Sequence, residues 1–195
     1  MFVIGEDGLC CALGEKLATE IAGCTLAQPV INTNGVTSLK KSISRYLDTT
    51  HVCPVLCLAD TDGKCAVRLL RSWLPKHASS SFILRFAVTE SESWLLADRE
   101  GLADFFGLSQ SLLPRRPDDL ADAKRELLDL ARRSKKRLIR QEVVSSKDLR
   151  KPGEGYNIHL CDFVTRHWQP LRAITNSPSL ERAVNRLKQL RESVA

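Results

Sequence analysis

No stretch of this sequence approaches the roughly 18 uninterrupted apolar residues that a membrane-spanning helix needs. Its opening, Met-Phe-Val-Ile-Gly-Glu, also lacks the basic start and long apolar middle of a secretory signal. The expectation is a cytoplasmic protein with no membrane partner. Cys-x-x-Cys pairs are missing too, although seven cysteines are present: Cys10, Cys11, Cys24, Cys53, Cys57, Cys65 and Cys161. With His51, His77, His159 and His167 scattered and unpaired with them, the spacing that a closed zinc site normally displays is missing. An odd number of thiols lying mostly in apolar stretches reads instead as buried free cysteines of a reducing compartment. Internal repeats and low-complexity segments are absent as well.

What remains is a chain of 195 residues, 43% hydrophobic and 27% charged, long enough for one sizeable core and a smaller appendage. Its formal charge of +6 favours a polyanionic partner. The distribution is uneven. Residues 115 to 151 hold Arg115, Arg116, Lys124, Arg125, Arg132, Arg133, Lys135, Lys136, Arg137, Arg140, Lys147, Arg150 and Lys151. Each alone reads as part of a solvated helix face, but as a group they suit a phosphate backbone.

The first half alternates short apolar runs with helical periodicity, the pattern of a parallel α/β sheet. Phe2-Val3-Ile4 reads as the first strand, and Gly8 to Ala22 as a helix with Leu9, Leu13, Leu17 and Ile21 on one face. Gln28 to Ile31 suits a short strand and Ser38 to Leu47 a second helix. Val52 to Ala59 is the most continuous apolar run and so a central strand, with Pro54 near its start. Ala66 to Leu74 then reads as a helix, Phe82 to Val88 as a strand, and Glu90 to Phe106 as one long helix in which Asp98 and Asp104 are surface acids.

From about residue 108 only helices are expected. Pro117 fits the first turn of a helix running to about Arg133. Lys151 to Gly155 is a break, and Ser177 caps a last helix striped with Leu180, Ala183, Val184, Leu187 and Leu190. Trp73, Trp94 and Trp168 read as core. The division expected is an α/β core over residues 1–108 and a basic helical extension over 109–195 packed on it.

Ligands of parallel α/β sheets bind beyond the carboxyl ends of the strands. That rule selects Glu6 and Asp7 after the first strand, Asp60 and Asp62 after the central one, and Glu90 and Glu92 after the strand ending at Val88. Asp7 also suits a helix cap, and Glu90 and Glu92 suit the first turn of a helix. Carboxylates brought together without a cation repel one another, which a divalent metal resolves. In an extended loop Asp60 and Asp62 project to the same side, and Gly63 permits the turn that follows. Hard oxygen donors favour Mg2+ or Mn2+ over zinc.

A glutamate after the first strand followed by a strand-borne Asp-x-Asp resembles the TOPRIM domain of topoisomerases, primases and OLD-family nucleases. Val88 to Asp98, Asp122-Ala123-Lys124, Gly155-Tyr156-Asn157 and Ser177-Pro178-Ser179-Leu180 look like a bacterial, OLD-nuclease-like branch of that superfamily linked to phage defence beside an ABC-type ATPase. The resemblance implies a TOPRIM-like, mostly parallel sheet flanked by helices, with a helical C-terminal extension, and a metal-dependent nuclease of DNA or RNA. It implies Asp60 and Asp62 as paired metal ligands, joined by Glu92, and Glu6 as metal ligand or general acid/base. Glu90 or Glu92 would serve a second metal or orient water, and Lys124 would hold the scissile phosphate. Nucleic acid, an ATPase and further copies of the chain are the partners it suggests. Asp7 and Leu9 depart from the family pattern, which places glycine after its glutamate and another acid three residues on.

Two other functions share these residues. A haloacid-dehalogenase-like phosphatase also uses an apolar strand ending in Asp-x-Asp-Gly, but on its first strand and with a hydroxyl residue where Lys64 stands. A non-enzymatic subunit could bind nucleic acid or an ATPase through the helical half and keep a vestigial acidic site.

Overall fold

The computed structural model describes residues 1–194. Strand β1 (Phe2–Gly5) leads into helix α1 (Gly8–Lys16), which continues through a π turn over Leu17–Ile21. Asp7 caps α1 by accepting a hydrogen bond from the Cys10 amide at 2.8 Å. A two-residue strand β2 (Ile31–Asn32) follows, then α2 (Val36–Thr49), β3 (Val55–Asp60), α3 (Ala66–Trp73) and β4 (Phe82–Ala87). The strands form one sheet in the order β2-β1-β3-β4, with every pairing parallel.

Side-chain alternation along these strands builds two apolar layers. Val3, Leu56, Leu58 and Ile83 join α1 and the helices of the second half in one core, while Ile4, Cys57, Leu84 and Phe86 pack against Leu39 and Ile43 of α2 on the other face. Strand β3 is buried along its whole length, as its unbroken apolar sequence requires. Its boundaries differ from the sequence reading. Val52 is exposed and the strand starts after Pro54, whose carbonyl accepts from the Phe2 amide, so the ring's missing N–H costs the ladder nothing. The second strand is likewise displaced, to Ile31–Asn32.

Gly5 allows β1 to run close under α1: a Cβ there would stand 2.5 Å from the Cys11 amide nitrogen. This close approach brings the end of β1, and Glu6 with it, against the start of α1.

The expected long helix from Glu90 to Phe106 is two helices, α4 (Glu92–Ala97) and α5 (Arg99–Phe106). Asp98 separates them. Its carboxylate accepts from the Gly101 amide at 3.2 Å and from the Gln169 amide at 2.9 Å, and it pairs with the Arg172 guanidinium. Asp98 is fully buried, which corrects its reading as a surface acid; Asp104 is exposed.

After two 3-10 turns over Gln110–Leu112 and Pro117–Asp119 come α6 (Ala123–Arg132), α7 (Arg137–Glu142), α8 (Tyr156–Arg166), α9 (Pro170–Ala173) and α10 (Pro178–Val194). Pro117 opens only the second short turn, and the helix expected from it starts instead at Asp122, whose side chain accepts from the Arg125 amide at 2.7 Å. Among the described residues the second half has no strand, only a bridge between Val144 and Pro152 beside the Lys151–Gly155 break.

Trp94 and Trp168 lock the halves together. The Trp94 indole donates to Ser179 Oγ at 2.8 Å, and the Trp168 indole donates to the Trp94 carbonyl at 2.9 Å. Ser177 caps α10 and also donates to Asp118 at 2.7 Å, so the Ser-Pro-Ser-Leu segment serves as scaffold. Trp73 is only half-buried, edge-on to Phe86. No described helix is long and apolar enough to cross a membrane.

Candidate active site at the sheet rim

The order β2-β1-β3-β4 reverses direction between β1 and β3, because β1 connects outward to β2 and the chain then returns past β1 to β3. At such a switch point the flanking helices lie on opposite faces and leave a crevice beyond the carboxyl ends. Glu6 and Asp60 flank it. The Glu6 amide donates to the Leu58 carbonyl at 3.1 Å, and the Glu6 carboxylate accepts from the Asp60 amide at 3.2 Å.

Asp60 ends β3 and is 9% exposed. One carboxylate oxygen lies 3.4 Å from Ser91 Oγ and the other 3.7 Å from Cys10 Sγ. Ser91 Oγ also lies 3.5 Å from Glu92, and its single proton serves only one of the two acids at a time. Glu92, in the first turn of α4, is 2% exposed and accepts from the Tyr156 hydroxyl at 2.7 Å.

Lys124, in the first turn of α6, completes the group. Its ammonium stands 3.5 Å from Glu92 and 3.9 Å from Glu90, and its amide donates to Glu90 at 2.9 Å. It makes no ion pair with Glu6 or Asp60 among the described residues, so it neutralises the β4 side of the rim and leaves the Glu6–Asp60 side short of positive charge.

Proton affinities follow from that shortage. Burial pushes the Asp60 carboxyl up to about 9, with the charges of Glu92, Asp7 and Glu6 adding to it and Lys124 opposing. Burial also raises Glu6, against the lowering effect of the Asp60 amide, and raises Glu90. For Lys124 burial disfavours the charge, but Glu92, Glu90 and Asp60 together outweigh it and raise the ammonium's pKa. Tyr156 is held in its neutral, donating form by burial and by Glu92.

Asp62 departs from expectation. Rather than extending beside Asp60, it adopts a left-handed conformation, φ 49°, followed by Gly63 at φ 73°. Its amide donates to the Thr89 carbonyl at 3.0 Å, and its side chain is exposed. The two aspartates therefore do not project to one side as an extended loop would have them, although the Asp62 charge still contributes to raising Glu6.

The rim thus gathers Glu6, Asp60, Glu90, Glu92 and Lys124, with Asp62 at its outer edge. Ser91 and Tyr156 join them; Ser91 carried no signal in the sequence, whereas Tyr156 followed the glycine-rich break. Asn157 is exposed. The donors gathered here are carboxylate oxygens, the kind that a hard divalent cation takes. The side chains as they lie do not form a finished shell: among the described residues no group of three acids, histidines or cysteines stands ready to hold an ion.

Comparisons with protein-family models, with curated proteins and with solved structures give no match.

The basic run of residues 115 to 151 is less free than its composition suggests. Arg116 pairs with Asp119, Arg125 and Arg132 with Asp129, and Arg150 with Asp148, all within their own segments. Lys136 lies over the Phe105 ring. The cysteines are all free, but only Cys10 and Cys57 are buried; Cys11, Cys24, Cys53 and Cys161 are partly exposed and Cys65 is exposed, because most of the thiols lie at helix surfaces and strand ends rather than in the core.

Proposed function

We propose that this chain is a divalent-metal-dependent nuclease with a TOPRIM-like core, hydrolysing phosphodiesters of DNA or RNA at the rim between β1 and β4. The observation that carries the reading is the meeting of carboxylates from three strand ends at one rim: Glu6 joined to the Asp60 amide on one side, and Glu90 and Glu92 beside the ammonium of Lys124 on the other. Such a group attracts cations on one side and offers a fixed positive charge on the other.

In this reading Glu6 and Asp60 hold the ion, joined by Asp62 once the 62–63 turn shifts, and by Glu92. Mg2+ or Mn2+ bound there supplies polarisation of a phosphoryl oxygen and acidification of water. Lys124 binds a non-bridging oxygen of the scissile phosphate as a point charge. Tyr156 and Ser91 hold the orientation of Glu92. An ATPase partner and a role in phage defence belong to the same proposal and rest on the sequence resemblance alone.

The test is an assay of purified protein on single- and double-stranded DNA and RNA with Mg2+, Mn2+ or EDTA, beside Asp60→Ala. Cleavage that needs the metal and disappears with Asp60→Ala is expected. Cleavage retained by that variant would overturn the assignment. A protein that binds nucleic acid but cleaves nothing with either metal would favour the non-enzymatic reading, for which the unfinished donor shell already speaks.

A further inference from the structure

A concentration of unneutralised positive charge lies outside the basic run. Arg85 interrupts β4 between Ile83 and Ala87, both buried on the same face of the strand. Its guanidinium donates to the Leu84 carbonyl at 2.9 Å, while its Nε is buried with no hydrogen-bond partner. Arg182 and Arg186, one turn apart on α10, line the same cleft, with the amides Asn185 and Gln189 beside them. The cleft has a volume of about 330 Å3 and lies where β4, the edge strand of the sheet, meets α10.

Among the described residues none of these three arginines forms an ion pair with a carboxylate, although Arg186 donates to the Ser80 carbonyl. The contrast with Arg116, Arg125, Arg132 and Arg150, each paired within its own segment, is direct. Burial, then the neighbouring charges of Arg186 and Arg182, lower the pKa of Arg85. A largely buried guanidinium facing two like charges carries an electrostatic cost that an anion relieves. Guanidinium forks match the oxygens of a phosphate, two at a time. Val88 lines the cleft, so one end of it lies at the carboxyl end of β4, the strand end from which Glu90 and Glu92 follow in the chain.

We propose that Arg85, Arg182 and Arg186 form a phosphate-binding cleft that grips the backbone of a polynucleotide beside the catalytic rim. The identity of the ligand as a polynucleotide rests on the nuclease reading; the preference for an oxyanion rests on the cleft alone.

The test compares two charge-matched variants of the full chain: Arg182→Gln/Arg186→Gln in the cleft, and Lys188→Gln/Arg191→Gln elsewhere on α10. Binding of a fluorescein-labelled oligonucleotide is followed by anisotropy in EDTA, where metal-dependent cleavage cannot interfere. The cleft pair is expected to weaken binding about tenfold or more and to reduce the salt dependence by about two counterions, one for each phosphate left unneutralised. The comparison pair is expected to change affinity by no more than about threefold. Equal weakening in both, or none in the cleft pair, overturns the proposal. So does binding of inorganic phosphate, abolished in the cleft pair, that fails to compete with the oligonucleotide, because it assigns the cleft to free phosphate. Cleavage measured separately with Mg2+ keeps the two readings apart. Cleft-dependent binding without cleavage defeats the nuclease and leaves this site standing, and cleavage with cleft-independent binding does the reverse.

Discussion

Glu6 and Asp60, 54 residues apart in sequence, are joined by a hydrogen bond of 3.2 Å from the Asp60 amide to the Glu6 carboxylate. That bond fixes one acid across the end of the strand that carries the other, at the switch point of the sheet. Among the described residues the Asp60 carboxylate has no ion-pair partner, since Lys124 pairs with Glu90 and Glu92.

A stability profile in EDTA should register this. An aspartate whose folded pKa exceeds its unfolded value contributes stability that is whole below the unfolded value and is lost as pH rises through the folded one. For Asp60 those limits are 3.8 and about 9. Across that window this group costs stability at up to about 1.4 kcal/mol per pH unit. Asp60→Asn should therefore be more stable than wild type at pH 8 in thermal unfolding, with the gap narrowing toward pH 5. A gap independent of pH would contradict the burial argument.

Tyr156 and Glu92 should behave as a coupled pair. Removing the hydroxyl with Tyr156→Phe takes away a hydrogen bond to a buried acid, worth about 1.5 to 3 kcal/mol. In a double-mutant cycle with Glu92→Gln, the coupling measured by denaturant unfolding should exceed about 0.5 kcal/mol. Simple additivity would mean that the 2.7 Å hydrogen bond contributes nothing.

Asp98 and Arg172 form the structural counterpart. Arg172→Ala leaves a fully buried acid without its guanidinium and should cost about 3 kcal/mol or more. Adding Asp98→Asn should recover part of that loss. If Arg172→Ala unfolds at the wild-type denaturant midpoint, the pair is not holding α9 to the α4–α5 junction.

Cys65 should be the first cysteine to react. It is exposed at the start of α3, and the backbone amides of Arg68 and Val67 lower its pKa, whereas burial raises Cys10, Cys11 and Cys161. Brief iodoacetamide treatment of folded protein followed by peptide mass spectrometry should find Cys65 alkylated well before Cys10, and at a lower pH than free cysteine requires. Uniform labelling of the seven would refute this.

The sheet was legible because its strands are apolar runs, and the rim was legible because acids stand where those runs stop. What escaped depends on distant partners or on local backbone alternatives. Asp98 looked like a surface acid because the arginine that buries with it lies 74 residues away. Asp62 failed the alternation argument because aspartate beside glycine can turn left-handed. Pro117 suggested a helix start, but Asp122 supplies the side-chain cap that begins the helix. Arg85 gave no signal at all, since an arginine within a strand acquires meaning only when Arg182 and Arg186 arrive from the last helix.

The most direct test of the account is a titration with Mn2+ followed by electron paramagnetic resonance, on wild type and on Glu6→Gln/Asp60→Asn. Saturable binding in wild type, abolished in the double variant while its circular dichroism is unchanged, is the result expected. Mn2+ binding that persists undiminished in the double variant would contradict the assignment of these two acids as the metal-holding pair.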